Sequence, residues 1–378
     1  MDSYQKSILN DAQESLLGYP CNMAYDYSAL FSTFKYRFNN VGCPFEDSTY
    51  KVNTKKEERN VLKFFETLWG FDTDNVWGYV TTCGTEGNLQ AMFIARQMYP
   101  NGIIYTSEDT HYSIPKIAKL LNAQLCIVKS RENGEMDYDD FEKCICRNLD
   151  KPVIVNANLG TTMLGATDNT REIHRILCKH NKQNEYYIHG DGALMGFVLP
   201  FIEKDIFFKK NLHSISISGH KFLGVPFPCG VFMMEQRLLD IVNTRIEYIA
   251  STDCTISGSR SGHSALFLDY IIKQKGVIGF ESDILKCIEN AEYMIHKMSA
   301  AYMPAWRNQN SITVVMDKPS PHVVDKWQLA TQTRMVSKVE HQHELVHHHK
   351  IAHAIILPHV TKKKINRFVK EYKSHYKI

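Results

Sequence analysis

The chain has 378 residues, with 44 lysines and arginines against 41 aspartates and glutamates, a net charge of +3. Apolar residues at 44% and charged residues at 22% are ordinary for a globular protein, and a charge this balanced argues against nucleic-acid binding as the main role. No apolar run approaches the roughly 18 residues a membrane helix needs. The ten cysteines include no C-x-x-C pair and read as reduced thiols.

The opening MDSYQKSILNDAQ lacks the basic and apolar regions of a signal peptide, so a cytoplasmic location is expected. Val61, Phe64, Phe65, Leu68 and Trp69 recur at helical spacing and predict an amphipathic helix over 57–69. Short apolar runs follow at 76–81, 102–105, 124–128, 153–157, 187–189, 214–217 and 230–234, with helix-length stretches at 89–98, 115–121 and 171–180 between them. Such alternation predicts an α/β fold with a mainly parallel sheet. Ile284, Ile288, Ala291, Ile295 and Met298 predict another helix. Beyond residue 300 the pattern reads strand (311–316), helix (323–331), strand (350–357) and a closing basic helix with Ile365, Phe368, Val369 and Tyr372 on one face. We therefore expect an N-terminal segment (1–55), a large domain (56–270) and a small C-terminal α+β domain (271–378).

Four places carry chemistry. Lys221, in SISGHK, follows a predicted strand; an amine at a strand end beside hydroxyls and a histidine can attack an aldehyde. Asp191, in YYIHGDGA, ends another strand, where open α/β sheets bind ligands. Together they fit the two ends of pyridoxal phosphate (PLP), the lysine taking the aldehyde and the aspartate keeping the ring nitrogen protonated. The turn Thr82–Asn88, between strand and helix, offers backbone N–H groups and the Thr85 hydroxyl to a phosphate. His111, in DTHYS, follows a third strand and suits the cofactor's ring face.

The runs WGYVTTCGTEGN, DTHYS, NLGTT, HGDGAL, SGHKFLG, PCGV, EYIAS and GSRSGH resemble the group II PLP-dependent amino-acid decarboxylases, in the branch of bacterial histidine decarboxylases and plant serine decarboxylases. The resemblance implies a fold type I (aspartate-aminotransferase-like) PLP enzyme, with a mainly parallel mixed sheet in its large domain. By position it implies that Lys221 binds the cofactor covalently and Asp191 faces the pyridine nitrogen. Ala193 would pack under the ring and His111 over it, where His111 also meets substrate. Gly84, Thr85, Ser218 and His220 would surround the phosphate, with Thr161 near the ring substituents. Tyr248 would protonate the carbanion, and Tyr50 would lie near the substrate side chain. A homodimer or dimer of dimers is implied, with no nucleic-acid or membrane partner. L-histidine is favoured narrowly over L-serine as substrate, and a catalytically weak PLP-binding homologue is the further alternative.

One segment names a rival. His343-Glu344-Leu345-Val346-His347 is a literal H-E-x-x-H, the zinc-hydrolase helix signature, with Glu371 available as a third ligand. The segment 340–349 is half histidine, so the pattern arises by composition; no defined metal site is expected, and adventitious zinc or nickel binding by the cluster is the alternative. It lies within about 16 residues, near 333–349, that interrupt the family resemblance and read as a solvated loop or as an insert that weakens the enzyme. Arg260 reads as structural or as reaching a neighbouring subunit, and the basic C-terminal helix as docked by its apolar stripe.

Overall fold

The structure, a computed structural model, describes residues 3–71, 75–182, 184–203, 211–340 and 343–374. In chain order the elements are α1 (Ser3–Ser15), α2 (Lys55–Trp69), β1 (Val76–Thr81), α3 (Gly84–Met98), β2 (Ile103–Ser107), α4 (Ser113–Leu120), β3 (Leu125–Val128), α5 (Tyr138–Cys146), β4 (Val153–Asn158), α6 (Thr170–Lys179), β5 (Tyr186–Asp191), α7 (Met195–Ile202), β6 (Ser214–Ser218) and β7 (Gly230–Glu235). There follow β8 (Thr244–Ile246), β9 (Ser251–Asp253), α8 (Gly262–Ser299), β10 (Ala305–Trp306), β11 (Thr313–Asp317), α9 (Pro321–Lys326), β12 (Ala330–Glu340), β13 (His343–Ile355) and α10 (Lys362–Ser374). No helix among the described residues is long and apolar enough to cross a membrane.

The chain forms two compact units, one of residues 22–161 and 166–281, the other of residues 1–21, 162–165 and 282–378. The first 21 residues thus belong with the C-terminal unit, and the division after Glu281 falls inside α8 rather than at residue 270.

The larger unit is built on a seven-stranded sheet of order β1-β7-β6-β5-β4-β2-β3. β7 runs antiparallel to both β1 and β6, and the other pairs are parallel. Every residue of β4 is buried, as expected of a strand covered on both faces. α2 forms where expected; Val61, Leu62, Phe65 and Trp69 are buried at helical spacing, and Gly70, at φ 65°, ends it in the left-handed conformation that a side chain disfavours. Asp137 and Asn169 cap α5 and α6, each accepting from two backbone N–H groups. Because the parallel strands share one direction, Ser107, Asn158, Asp191 and Ser218 end β2, β4, β5 and β6 along one edge of the sheet.

The smaller unit has an antiparallel sheet of order β10-β11-β13-β12. Its core gathers Met294, Met298, Val314, Trp327, Ile356, Phe368 and Tyr372, so the apolar stripe of α10 is buried as expected. Two expectations fail here. The helix expected over 323–331 stops at Lys326, because Gln328 takes a positive φ of 50° and Ala330 begins β12. The segment expected as a loop is a hairpin, with β12 and β13 paired from Ala330↔His353 to Glu340↔His343. H-E-x-x-H therefore lies in a strand. A strand carries His343 and His347 about 13 Å apart along the backbone, whereas the zinc signature needs them one helical turn apart. Glu371, the suggested third ligand, accepts instead from Lys326 Nζ (2.9 Å) and Trp327 Nε1 (3.0 Å).

Candidate active site

The sheet edge collects the expected residues within the larger unit. Asp191 is 6% exposed; its Oδ2 accepts from Asn88 Nδ2 at 2.8 Å and its Oδ1 from the Ala193 N–H at 3.3 Å. Lys221 sits in the turn after β6, its N–H donating to Ser218 O at 3.3 Å and its carbonyl accepting from Asn22 N at 3.0 Å. Residues 22–27 clasp this turn: Asn22 Nδ2 donates to Phe222 O (2.8 Å) and Tyr27 Oη to Leu223 O (2.6 Å). The lysine loop is thereby fixed by chain some 200 residues upstream.

His111 is half-buried ahead of α4, its Nδ1 2.8 Å from Ser113 Oγ. Burial holds its imidazole below the usual histidine range; Asp191 opposes that shift and the Lys221 ammonium adds to it, so all three groups share one electrostatic neighbourhood. His220 is likewise pushed down by burial, with its Nδ1 3.0 Å from the Cys229 carbonyl. Thr161 is buried, its Oγ1 accepting from the Ala166 N–H at 3.0 Å in the turn after β4.

The phosphate corner has the right form. Gly84 opens α3, and a Cβ there would stand 2.6 Å from Ser218 Oγ and 3.8 Å from Ala193 Cβ. The space between the N-terminus of α3 and the end of β6 stays open because residue 84 has no side chain, and an anion fits such a helix start. With Asp191 and Lys221 on the same edge, the residues present fit PLP.

Two expected residues stand elsewhere. Tyr248 lies in the turn between β8 and β9 and is 85% exposed; its backbone carbonyl accepts from Thr49 Oγ1 at 3.3 Å. Tyr50 donates from its hydroxyl to Arg37 O (2.8 Å) and lines a depression of about 470 Å³ with Phe34, Tyr36, Arg37 and His263. Arg260 is structural. It pairs with the fully buried Glu58, donates to Gly42 O at 2.9 Å and lies over the Tyr79 ring.

The sequence reading missed Asn88, Ser113, His189 and Ser216, which surround Asp191 and His111. The available signal was periodicity: His189 is two residues before Asp191 on the same face of β5, and Asn88 one helical turn after Gly84.

Comparison with known proteins decides the family. The pyridoxal-dependent decarboxylase conserved domain matches residues 89–315. The chain is 42% identical to serine decarboxylase 3 of Oryza sativa subsp. japonica over 361 residues, 94% of this chain and 77% of that one. It is 39% identical to the histidine decarboxylase of Vibrio anguillarum over 347 residues, 91% of this chain and 86% of that one. The chain belongs to the pyridoxal-dependent decarboxylases. It is a PLP-dependent carboxy-lyase acting on an amino acid, with pyridoxal 5'-phosphate as cofactor. The fold is shared with L-methionine decarboxylase from Streptomyces sp. 590, at TM-score 0.88 and 24% identity over 98% of this chain and 94% of that one. Glutamate decarboxylase from Lactobacillus brevis follows at TM-score 0.79 and 15% identity, over 100% and 94%. The decarboxylase fold is the type I PLP architecture expected from the sequence.

Proposed function

We propose that this decarboxylase converts L-histidine to histamine and CO₂, with L-serine to ethanolamine as the second reading. Histidine is supported by the 86% of the Vibrio histidine decarboxylase that the chain spans, against 77% of the rice serine decarboxylase. Serine is supported by the higher identity, 42% against 39%. The two side chains differ so much in volume that one pocket will not serve both well.

The arrangement of Asp191, Lys221 and His111 at one sheet edge carries the assignment of roles. Bound, the cofactor supplies the electron sink that accepts the pair released when CO₂ leaves. Lys221 would hold its aldehyde carbon and Asp191 its pyridine nitrogen. Gly84, Thr85, Ser218 and His220 would hold the phosphate, with Thr161 near the ring substituents. His111 and Ala193 would flank the ring, His111 also touching substrate. Tyr248 would return a proton to Cα as general acid, and Tyr50 would border the substrate side chain.

Tyr248 and Tyr50 do this work in a second copy of the chain. The exposed aromatics Phe31, Phe34, Tyr36 and Tyr50 form a surface of the kind that marks an interface. A homodimer covering this surface would bring both tyrosines to the partner's sheet edge. The ten cysteines read as reduced thiols, which suits a reducing compartment such as the cytoplasm.

The test is CO₂ release and amine identity from purified protein with added PLP, against all twenty amino acids, with Lys221→Ala as the blank. Histamine as main product supports the first reading and ethanolamine the second. A yellow protein that releases no CO₂ sinks both and leaves a cofactor-binding homologue.

A further inference from the structure

Asn88 lies on α3 and is 2% exposed. Its amide makes four hydrogen bonds. Nδ2 donates to Asp191 Oδ2 (2.8 Å) and Ser113 Oγ (3.3 Å), while Oδ1 accepts from Ser216 Oγ (2.8 Å) and His189 Nε2 (3.0 Å). An amide has two donor hydrogens and two acceptor lone pairs, so its capacity is full. Only one orientation works, because the flipped amide would turn its oxygen onto the Asp191 carboxylate.

Both ends of the chain of bonds have a fixed sense. Asn88 Oδ1 can only accept, so His189 carries its proton on Nε2, toward Asn88, and its Nδ1 is left to accept from Ser214 Oγ at 2.8 Å, which Tyr187 Oη meets at 2.7 Å. Burial keeps that ring neutral, with its pKa lowered to about 4. On the other side the Ser113 backbone N–H, which can only donate, points to His111 Nδ1 at 3.3 Å. The neutral His111 ring therefore carries its proton on Nε2. One buried amide thus touches the carboxylate assigned to the cofactor's nitrogen and, through Ser113, the imidazole assigned to the ring's face.

We propose that Asn88 is a positioning residue for the decarboxylation, aligning the Asp191 carboxylate directly and holding the His111 imidazole in place through Ser113 Oγ. The inference rests on the roles proposed above for Asp191 and His111. A carboxylate held this way keeps one oxygen lone-pair direction for the cofactor, and the imidazole is pinned against rotation.

The experiment compares holoenzymes of Asn88→Asp, Asn88→Ala, Ser113→Ala and Asp191→Asn by the pH dependence of the bound cofactor's visible absorption, by the rate of cofactor release, and by kcat and KM. Asn88→Asp keeps the size and both acceptor contacts, so it carries the comparison if Asn88→Ala does not fold. It sets two carboxylates within hydrogen-bond reach, which then compete for one proton. Both Asn88 variants are expected to shift the absorption profile by about one pH unit and to lower kcat on the order of tenfold, the cost of one unmade buried hydrogen bond. Ser113→Ala is expected to lower kcat without moving the profile. If Asp191→Asn shifts the profile and neither Asn88 variant does, the Asn88 proposal is overturned alone. If Asp191→Asn also leaves profile and release rate unchanged, the reading of the site falls and the Asn88 proposal with it.

Discussion

Tyr248, the general acid of the proposed mechanism, is a side chain with almost nothing packed against it in this chain. At 85% exposure it has almost no packing to lose in this chain, so Tyr248→Phe is expected to leave the fold and the melting temperature unchanged. Loss of a general acid lowers the rate by roughly 10²–10⁴-fold and lets protonation occur elsewhere. We therefore expect a slow enzyme that yields an aldehyde by-product beside the amine, measured by product chromatography. A variant making only amine at the wild-type rate removes Tyr248 from the mechanism. Asn88 is the opposite case, with every polar atom committed to a neighbour.

Between elements, the buried Arg260–Glu58 pair ties α2 and residues 40–42 to the sheet. Glu58, on α2, also accepts from Val80 N at 2.9 Å and Asn40 Nδ2 at 2.8 Å, so one carboxylate joins α2, β1 and residues 39–43. Arg260→Met leaves that carboxylate buried without its cation, and breaking such a pair costs about 3–5 kcal/mol. Urea unfolding measures it. A loss under about 1 kcal/mol contradicts the role, and adding Glu58→Gln should restore part of the loss. His213, just before β6, gives the sheet a pH signature. Burial, with a smaller push from Arg237, lowers its pKa to about 3, while its Nδ1 accepts from Ile188 N at 3.1 Å. The unfolded histidine takes a proton below about pH 6.5 while the folded one stays neutral, so stability is full above that pH and declines as pH falls toward 3. Against His213→Gln, the wild type should lose about 2 kcal/mol more between pH 7 and pH 5. Parallel stability curves for the two proteins would sink this.

At the scale of the whole molecule, the proposed homodimer makes a prediction that no single chain can satisfy. Lys221→Ala removes one part of a site and Tyr248→Phe a part contributed to the partner's site. Mixed and allowed to exchange subunits, the two impaired proteins should recover about one quarter of wild-type activity, because half of randomly paired two-fold dimers carry one intact site. No recovery despite proven exchange places both residues in the same subunit's site.

The order of strands and helices was legible because burial on both faces writes continuous apolar runs, and 76–81, 153–157 and 214–217 each fall on a strand. Lys221, Asp191, Gly84 and His111 were legible because each stands at a strand end beside glycine or hydroxyl residues. The strand expected at 350–357 formed, but 330–349 was misread, since histidine and glutamate carry no strong period and β12 and β13 are held there by pairing with each other. Asn88 and His189 stand 101 positions apart, and Asn22 and its partner Phe222 stand 200 apart. Such bonds exist only once the sheet has brought the segments together. The sequence by itself determined which chemistry the chain carries, because reactive side chains must be spelled out. Only the tertiary structure decided which neighbours orient them, because a hydrogen bond depends on distance and direction, and a folded backbone alone supplies both.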